Sequence, residues 1–338
     1  MMPKLLKTGF IALIGIFILS PFSFAATTGN SSRDMVLTEA LDQVQQKTDA
    51  VTEATPEYEP KVFRQKLSTA VVAEEKEEAP RSEFDSYVRY MPTRSLASQP
   101  GKISIIKSAA EYSYNFKAFG KLPIQLGIGA EDININASDA VPVSLPAHLT
   151  SFTFGAEATL PFFTLEKTYL RLGIMPSFNS TNWNFKANSF NFGSRAMVIY
   201  QPSDKLTFVL GLSSEPGFEN PLMPFGGIIY EPNDRLTFNL VPSRPTISFD
   251  LTKHITAFWE GGMSGGEFKV TKDNFNGAAL DYSEMHTGLG LQIRPNENID
   301  ASISFGRTFN QSLEYRDSLG KVNIKNGFYS EFRVEARI

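Results

Sequence analysis

Ser151-Phe-Thr-Phe-Gly-Ala-Glu-Ala-Thr-Leu-Pro-Phe162 alternates without a break. Its even positions are Phe152, Phe154, Ala156, Ala158, Leu160 and Phe162; its odd positions are Ser151, Thr153, Gly155, Glu157, Thr159 and Pro161. Successive side chains on a strand point to opposite faces, so this stretch reads as a strand with one apolar and one polar face. The same separation recurs in Leu122, Ile124, Leu126 and Ile128 against Gln125, Gly127 and Gly129. It appears again in Leu170, Leu172 and Ile174 against Arg171 and Gly173, and in Ile299, Ala301, Ile303 and Phe305 against Asp300, Ser302 and Ser304. From about residue 84 to residue 338 the period stays at two, which predicts repeated half-buried antiparallel sheet.

The turns add topology to this periodicity. Gln201-Pro-Ser-Asp204-Lys205 and Glu231-Pro-Asn-Asp234-Arg235 are near copies, each preceded by Ile-Tyr and followed by Leu-Thr-Phe. Short turns there, at residues 252–254 and at residues 295–298 alternate with longer Gly/Pro/Asn-rich connections at residues 131–148, 213–224 and 269–283. Short turns at one end and long loops at the other predict an up-and-down transmembrane β-barrel.

A soluble sandwich would share the alternation, and the polar face separates the two. A solvent-exposed face would be rich in Lys, whereas this one carries Gly, Ser and Asn with Arg as its main cation. Guanidinium groups hold carboxylates through paired hydrogen bonds and suit a confined interior. The lumen-lining candidates are Glu157, Arg171, Arg195, Asp250, Glu260, His286, Arg294, Asp300 and Arg307. Arg171, Arg195 and Arg294 are expected to pair with Glu157, Glu260 or Asp300.

Thirteen candidate strands emerge between residues 103 and 338. Bacterial single-chain barrels have even strand numbers. Residues 86–92 supply a fourteenth strand, or a short candidate drops out to leave twelve. Residues 206–212 and 236–241 fall short of the roughly 9–11 residues a tilted spanning strand needs, so twelve is preferred over fourteen.

Residues 1–25 resemble a secretory signal peptide: Lys4 and Lys7, an apolar run over residues 10–19, then small residues at Ser23, Ala25 and Ala26. The run is about half the ~20 residues of a spanning helix. Its removal takes the formal charge from −4 to −6, because it carries two Lys and no acid. Such acidity excludes nucleic acid as a partner. Residues 26–83 read as a polar, helix-prone periplasmic segment and linker. There Leu37, Leu41, Val44, Thr48 and Val51 form a short heptad seam, which allows self-association, and an acidic run spans residues 74–78. The chain has no Cys, which removes disulfides, thiolate metal sites and thiol nucleophiles. No metal spacing or cofactor fingerprint appears, so no metal or cofactor is expected.

The final strand places Phe328, Ser330, Phe332, Val334, Ala336 and Ile338 opposite Tyr329, Glu331, Arg333, Glu335 and Arg337. It resembles the C-terminal insertion signal of bacterial outer-membrane barrels, with Phe328, Phe332, Val334 and Ile338 as the signal residues; Ile338 departs from the usual Phe. That resemblance implies the outer membrane as location, with its lipid, lipopolysaccharide and barrel-assembly machinery as partners. Residues 193–269, with the paired Tyr-x-Pro-x-Asp-Lys/Arg-Leu-Thr-Phe turns and Asn220-Pro-Leu-Met-Pro-Phe-Gly-Gly227, resemble a family of exported bacterial barrel proteins known only as a domain of unknown function.

A twelve- or fourteen-stranded barrel with a mixed lumen is expected to be a narrow, weakly selective pore or a structural barrel, and not an enzyme. Two other readings stay open. His286, near Ser283, Glu284 and Thr287, is the candidate for a lipid-modifying hydrolase. Residues 131–148, with Asp132, Asn134, Asn136 and Asp139, are the candidate surface of an adhesin or receptor.

Overall fold

The computed structural model describes residues 82–338 apart from 120–121, 163–164, 215–221, 243, 272–276 and 317–319. The expected signal peptide, the helical segment with its acidic linker and any self-association through it lie outside the described residues.

The described chain is antiparallel sheet with one 3-10 turn at Ala187–Ser189. Strands run in chain order: β1 (Ser82–Ser95), β2 (Lys102–Ala118), β3 (Leu122–Ala137), β4 (His148–Pro161), β5 (Thr168–Thr181), β6 (Phe190–Ser203), β7 (Leu206–Ser214) and β8 (Leu222–Asn233). They continue as β9 (Leu236–Asn239), β10 (Thr246–Asp250), β11 (Ile255–Lys269), β12 (Ala279–Asn296), β13 (Ile299–Tyr315), β14 (Gly320–Ile324) and β15 (Gly327–Arg337). Each strand from β1 to β13 pairs with its successor, β13 pairs with both β14 and β15, and β15 pairs with β1, so the sheet closes on itself. β14 and β15 are two sections of one wall position, interrupted at residues 325–326. The barrel therefore has fourteen positions among the described residues. The preference for twelve is corrected: residues 82–95 supply the first strand, and the two short candidates keep their places in the wall.

Exposure confirms which face points out. Val88, Ile106, Leu126, Ile128, Phe154, Leu172, Ile174, Leu289 and Phe305 are exposed on the outer surface, whereas Arg89, Lys107, Arg171, Glu260, Glu284 and Glu331 are buried inside. This is the reverse of a soluble protein, in which large apolar side chains fill the interior. The repeated turn motif yields repeated geometry. The hairpins at residues 200–206 and 230–236 share the same register shift, and they stack Tyr200 on Phe208 and Tyr230 on Phe238 at 6.3 Å each.

The short turns and both chain ends of the sheet lie at one rim, and the long connections at the other. The loop expected at residues 131–148 is smaller than that. β3 continues to Ala137, so Asp132, Asn134 and Asn136 sit on a strand, and only residues 138–147 connect. Val141, Val143 and Leu145 of this connection fold inward onto an apolar cluster that includes Met91, Ile105, Ile133, Leu149, Phe268, Leu280, Leu313 and Val322. At the same rim β11 reaches over to β5. Lys269 bridges to Ser180 in parallel, the Thr181 and Thr271 hydroxyls are 2.9 Å apart, and the Asn191 amide donates to the Glu267 carbonyl at 3.3 Å. The long-loop end is thus pinched around that cluster. β6 to β10 form a side lobe whose interior holds a second cluster, Met197, Ile199, Val209, Ile229 and Val241.

Candidate functional site

Among the described residues, three groups of interior polar side chains involve the expected ions, each brought together by strands that parity alone cannot order. On β4 to β6, Glu157 receives both Arg171, with Nε at 2.6 Å, and Arg195. Gly173 lies between Glu157 and Arg195 in the register, and its missing side chain leaves the space these two groups cross. Arg171 also donates to the Gln125 amide oxygen at 2.8 Å. Near the short-turn rim, Asp300 holds Arg294 at 3.0 Å and Arg337 at 2.7 Å. Asp250, at the same rim, accepts from the Thr256 hydroxyl at 2.5 Å.

The third group crosses the middle of the barrel beneath the apolar cluster. Arg89 on β1 pairs with Glu284 of β12 at 2.8 Å and with Glu331 of β15 at 2.6 Å. Lys107 on β2 binds Glu131 at 3.0 Å and reaches Ser264 Oγ on β11 at 3.0 Å, and Ser264 in turn donates to Glu284 at 3.1 Å. Glu284 also accepts from the Tyr282 hydroxyl at 2.6 Å. Lower down, Glu260 holds Arg244 at 2.8 Å and Ser304 at 2.8 Å, and Arg333 joins Asp85 and Glu331 at 2.9 and 3.2 Å. Removing one partner from such a buried pair is costly, because the other is left charged without compensation.

Arg171 and Arg195 therefore take Glu157, Arg294 takes Asp300, and Glu260 is held by Arg244, which the sequence reading did not single out. Arg89, Lys107, Glu131, Glu284, Glu331 and Arg333 were also missed. Glu331 and Arg333 alternate openly in the last strand, but Arg89 lies on the strand treated as optional, and Arg244 sits in a turn between Pro242 and Pro245 that carries no periodicity. Arg307 is a correction: it is exposed on the outward face of β13, with its guanidinium 5.3 Å from the Phe328 ring. It shares the parity of Ile303 and Phe305, so its charge misled where its position did not. Phe328, Phe332 and Ile338 are exposed on the outer surface, and Val334 is half-buried on the same face.

His286 is buried in the central group, its Nε2 3.1 Å from Arg89 Nη2 and its ring edge-on to Tyr329. Ser283 Oγ is bonded to Ser312 Oγ at 3.0 Å, and Thr287 donates to the Glu260 carbonyl at 3.1 Å. Among the described residues, the hydrogen-bond partner of this imidazole is Arg89, and neither the Ser283 nor the Thr287 hydroxyl bonds to it. No group of three or more metal-ligating side chains occurs among the described residues.

Inward ions of both signs are thus held together: Arg89, Lys107, Arg171, Arg195, Arg244, Arg294, Arg333 and Arg337 with Asp85, Glu131, Glu157, Glu260, Glu284, Asp300 and Glu331. One cavity of about 20 Å³, room for a single water, lies between Arg244, Gln292, Asp300 and Glu335.

No family model and no curated protein matches the chain, so the resemblance to the uncharacterised barrel family remains one of sequence pattern. Several solved structures resemble the fold. An outer membrane channel from Pseudomonas putida F1 is 10% identical with a TM-score of 0.43, over 77% of this chain and 96% of that one. A TodX monoaromatic hydrocarbon channel mutant is 8% identical with a TM-score of 0.45, over 80% and 93%. A KdgM porin is 11% identical with a TM-score of 0.33, over 76% and 99%. These similarities are too distant to transfer a function.

Proposed function

We propose that this chain is an outer-membrane barrel that serves as a narrow, weakly selective passage held shut along its axis. The observation that carries the reading is the inverted polarity of the wall: large apolar side chains outside and buried, paired charges inside. A continuous apolar exterior needs lipid, and a closed sheet is one of the two structures that satisfy every backbone group within it. The short-turn rim then faces the periplasm and the long-loop rim faces outward, where lipopolysaccharide is the surrounding lipid. Phe328, Phe332, Val334 and Ile338, on the outward face of the last described strand, support recognition of that strand by the barrel-assembly machinery. Interior charges of both signs, held in pairs, favour weak ion selection, and the Arg89–Glu284 and Lys107–Ser264 links bar the axis.

The test is single-channel recording in planar bilayers. The folded protein should be mostly silent, and Lys107→Ala, which removes one cross-lumen link, should give discrete conductance steps of weak ion preference. A filled, purely structural barrel is the second reading, favoured by the apolar cluster. Silence from both Lys107→Ala and a variant shortened at Val141 and Val143 would establish it.

A further inference from the structure

The wall is not of even height. β9 has 4 residues and β10 has 5, between β8 with 12 and β11 with 15. The ladder from β8 to β9 ends at Ile229↔Asn239, with one further bond from Leu240 N–H to the Ile228 carbonyl at 2.8 Å. The ladder from β10 to β11 begins at Thr246↔Glu260, with one further bond from Gly261 N–H to the Pro245 carbonyl at 2.9 Å. Beyond these, among the described residues, no pairing joins the edge of β8 at residues 222–226 to the edge of β11 at residues 262–265; farther along, β11 is covered by Asn191 at Glu267 and by β5 at Lys269. Six tilted residues, 236–241, climb roughly 15 Å, so the break falls in the outer half of an apolar band about 25 Å tall.

The residues around the break suit it. The Ile228 carbonyl faces β9, so by strand parity the backbone of Pro224 faces the same, unpaired side, and Pro has no N–H to leave unsatisfied there. Leu222, Leu240 and Met263 present an exposed apolar rim. Behind the break lies the side-lobe cluster of Met197, Ile199, Val209, Ile229 and Val241. Phe225 packs against it, its ring so close over Gly211 that a Cβ there would lie 2.6 Å away. Unpaired strand edges are not tolerated against lipid tails and occur where they are buried in protein or line a water-filled cavity. The break thus lies between an apolar rim on the outer surface and the apolar lobe inside the barrel.

We infer that this break between β8 and β11 is a lateral port, through which a small apolar, bilayer-soluble molecule passes between the outer half of the membrane and the side lobe of the barrel. The inference rests on the membrane-spanning reading above, and adds a route that does not need the barred axis.

The absence of native Cys makes a direct test available. Gly265, exposed on the β11 edge, is replaced as Gly265→Cys in the full chain, and Ile128→Cys on the lipid-facing wall of β3 serves as control. Both are modified after assembly with pyrene maleimide, and whole cells are assayed for uptake of the apolar dye N-phenylnaphthylamine. Cells carrying the unmodified variants or the modified Ile128→Cys protein should take up dye faster than cells lacking the protein, and modification at Gly265→Cys should remove that difference. Uptake that is undiminished by the adduct at residue 265, or that never exceeds the level of cells lacking the protein, would overturn the port. Quenching of the pyrene at residue 128 by brominated lipid separates the two readings: without quenching the spanning reading fails, and with quenching but unaltered uptake only the port fails. Met263→Cys, modified in the same way, replaces Gly265→Cys if the latter does not assemble.

Discussion

Arg89 on β1 and Glu284 on β12 meet at 2.8 Å although two wall positions, β15 and β13, separate their strands. The chord they form across the interior is almost wholly buried, and Glu331 shares the same guanidinium. Arg89→Ala would leave two buried carboxylates facing each other. We expect a loss of about 3–5 kcal/mol, read as a lower urea midpoint for unfolding from lipid vesicles. Adding Glu284→Gln and Glu331→Gln to that variant should restore much of the loss, because the uncompensated charge is then gone.

The outer surface gives a second expectation. Ile128 is exposed near the middle of the β3 wall, and Ile128→Arg should destabilise the barrel by about 2–4 kcal/mol. Arg307 follows the outward apolar series Ile299, Ala301, Ile303 and Phe305 on β13, and taken as the outer edge of the apolar band that place costs a charge about 0–1 kcal/mol. Arg307→Leu should therefore change stability little. Equilibrium folding into vesicles compares the two, and equal effects would contradict the depth assigned to them.

Gly290 on β12 faces the Phe258 ring across the β11 ladder, and a Cβ at that position would lie 2.7 Å from the Ile303 carbonyl. Gly290→Val should cost at least the roughly 1–3 kcal/mol typical of overpacking and reduce the folded fraction. The check is heat-modifiable migration on gels. Gly226→Ala, whose new carbon would meet nothing nearer than 3.6 Å, should assemble normally.

Orientation can be checked with amine labelling. Lys102 and Lys325 are exposed at the long-loop rim, and Lys205 and Lys253 at the short-turn rim. A membrane-impermeant reagent applied to intact cells should modify the first pair only, and should reach the second pair once the outer membrane is opened. The opposite pattern would invert the assigned topology.

Much of the wall was readable because parity is a local property. Phe152 to Phe162 fixes its own outward face, and the twin Tyr-x-Pro turns announce their own hairpins. The strand number was harder. Residues 206–212 and 236–241 were judged by whether they could span, yet β9 fills a place in the wall with only 4 residues. The first strand was nearly lost because Ser86 interrupts the outward series of Phe84, Val88 and Tyr90. Interior contents were the least legible. In Ile103-Ser-Ile105-Ile106 both faces are apolar, so nothing in the pattern tells that Ile103 and Ile105 turn inward to cap the lumen. Parity gives a side chain its face but neither its height nor its position around the ring, which is why Glu260 was expected beside other arginines than Arg244.

Ser82 and Ile338 exchange backbone hydrogen bonds at 2.9 and 2.8 Å, so the first described strand is zipped to the last. That seam cannot form until β15 has been synthesised. Contacts of such sequence separation make for slow folding and prolonged exposure of strand edges. The nascent polypeptide therefore has to be shepherded in a soluble, unfinished form until β1 and β15 can find each other.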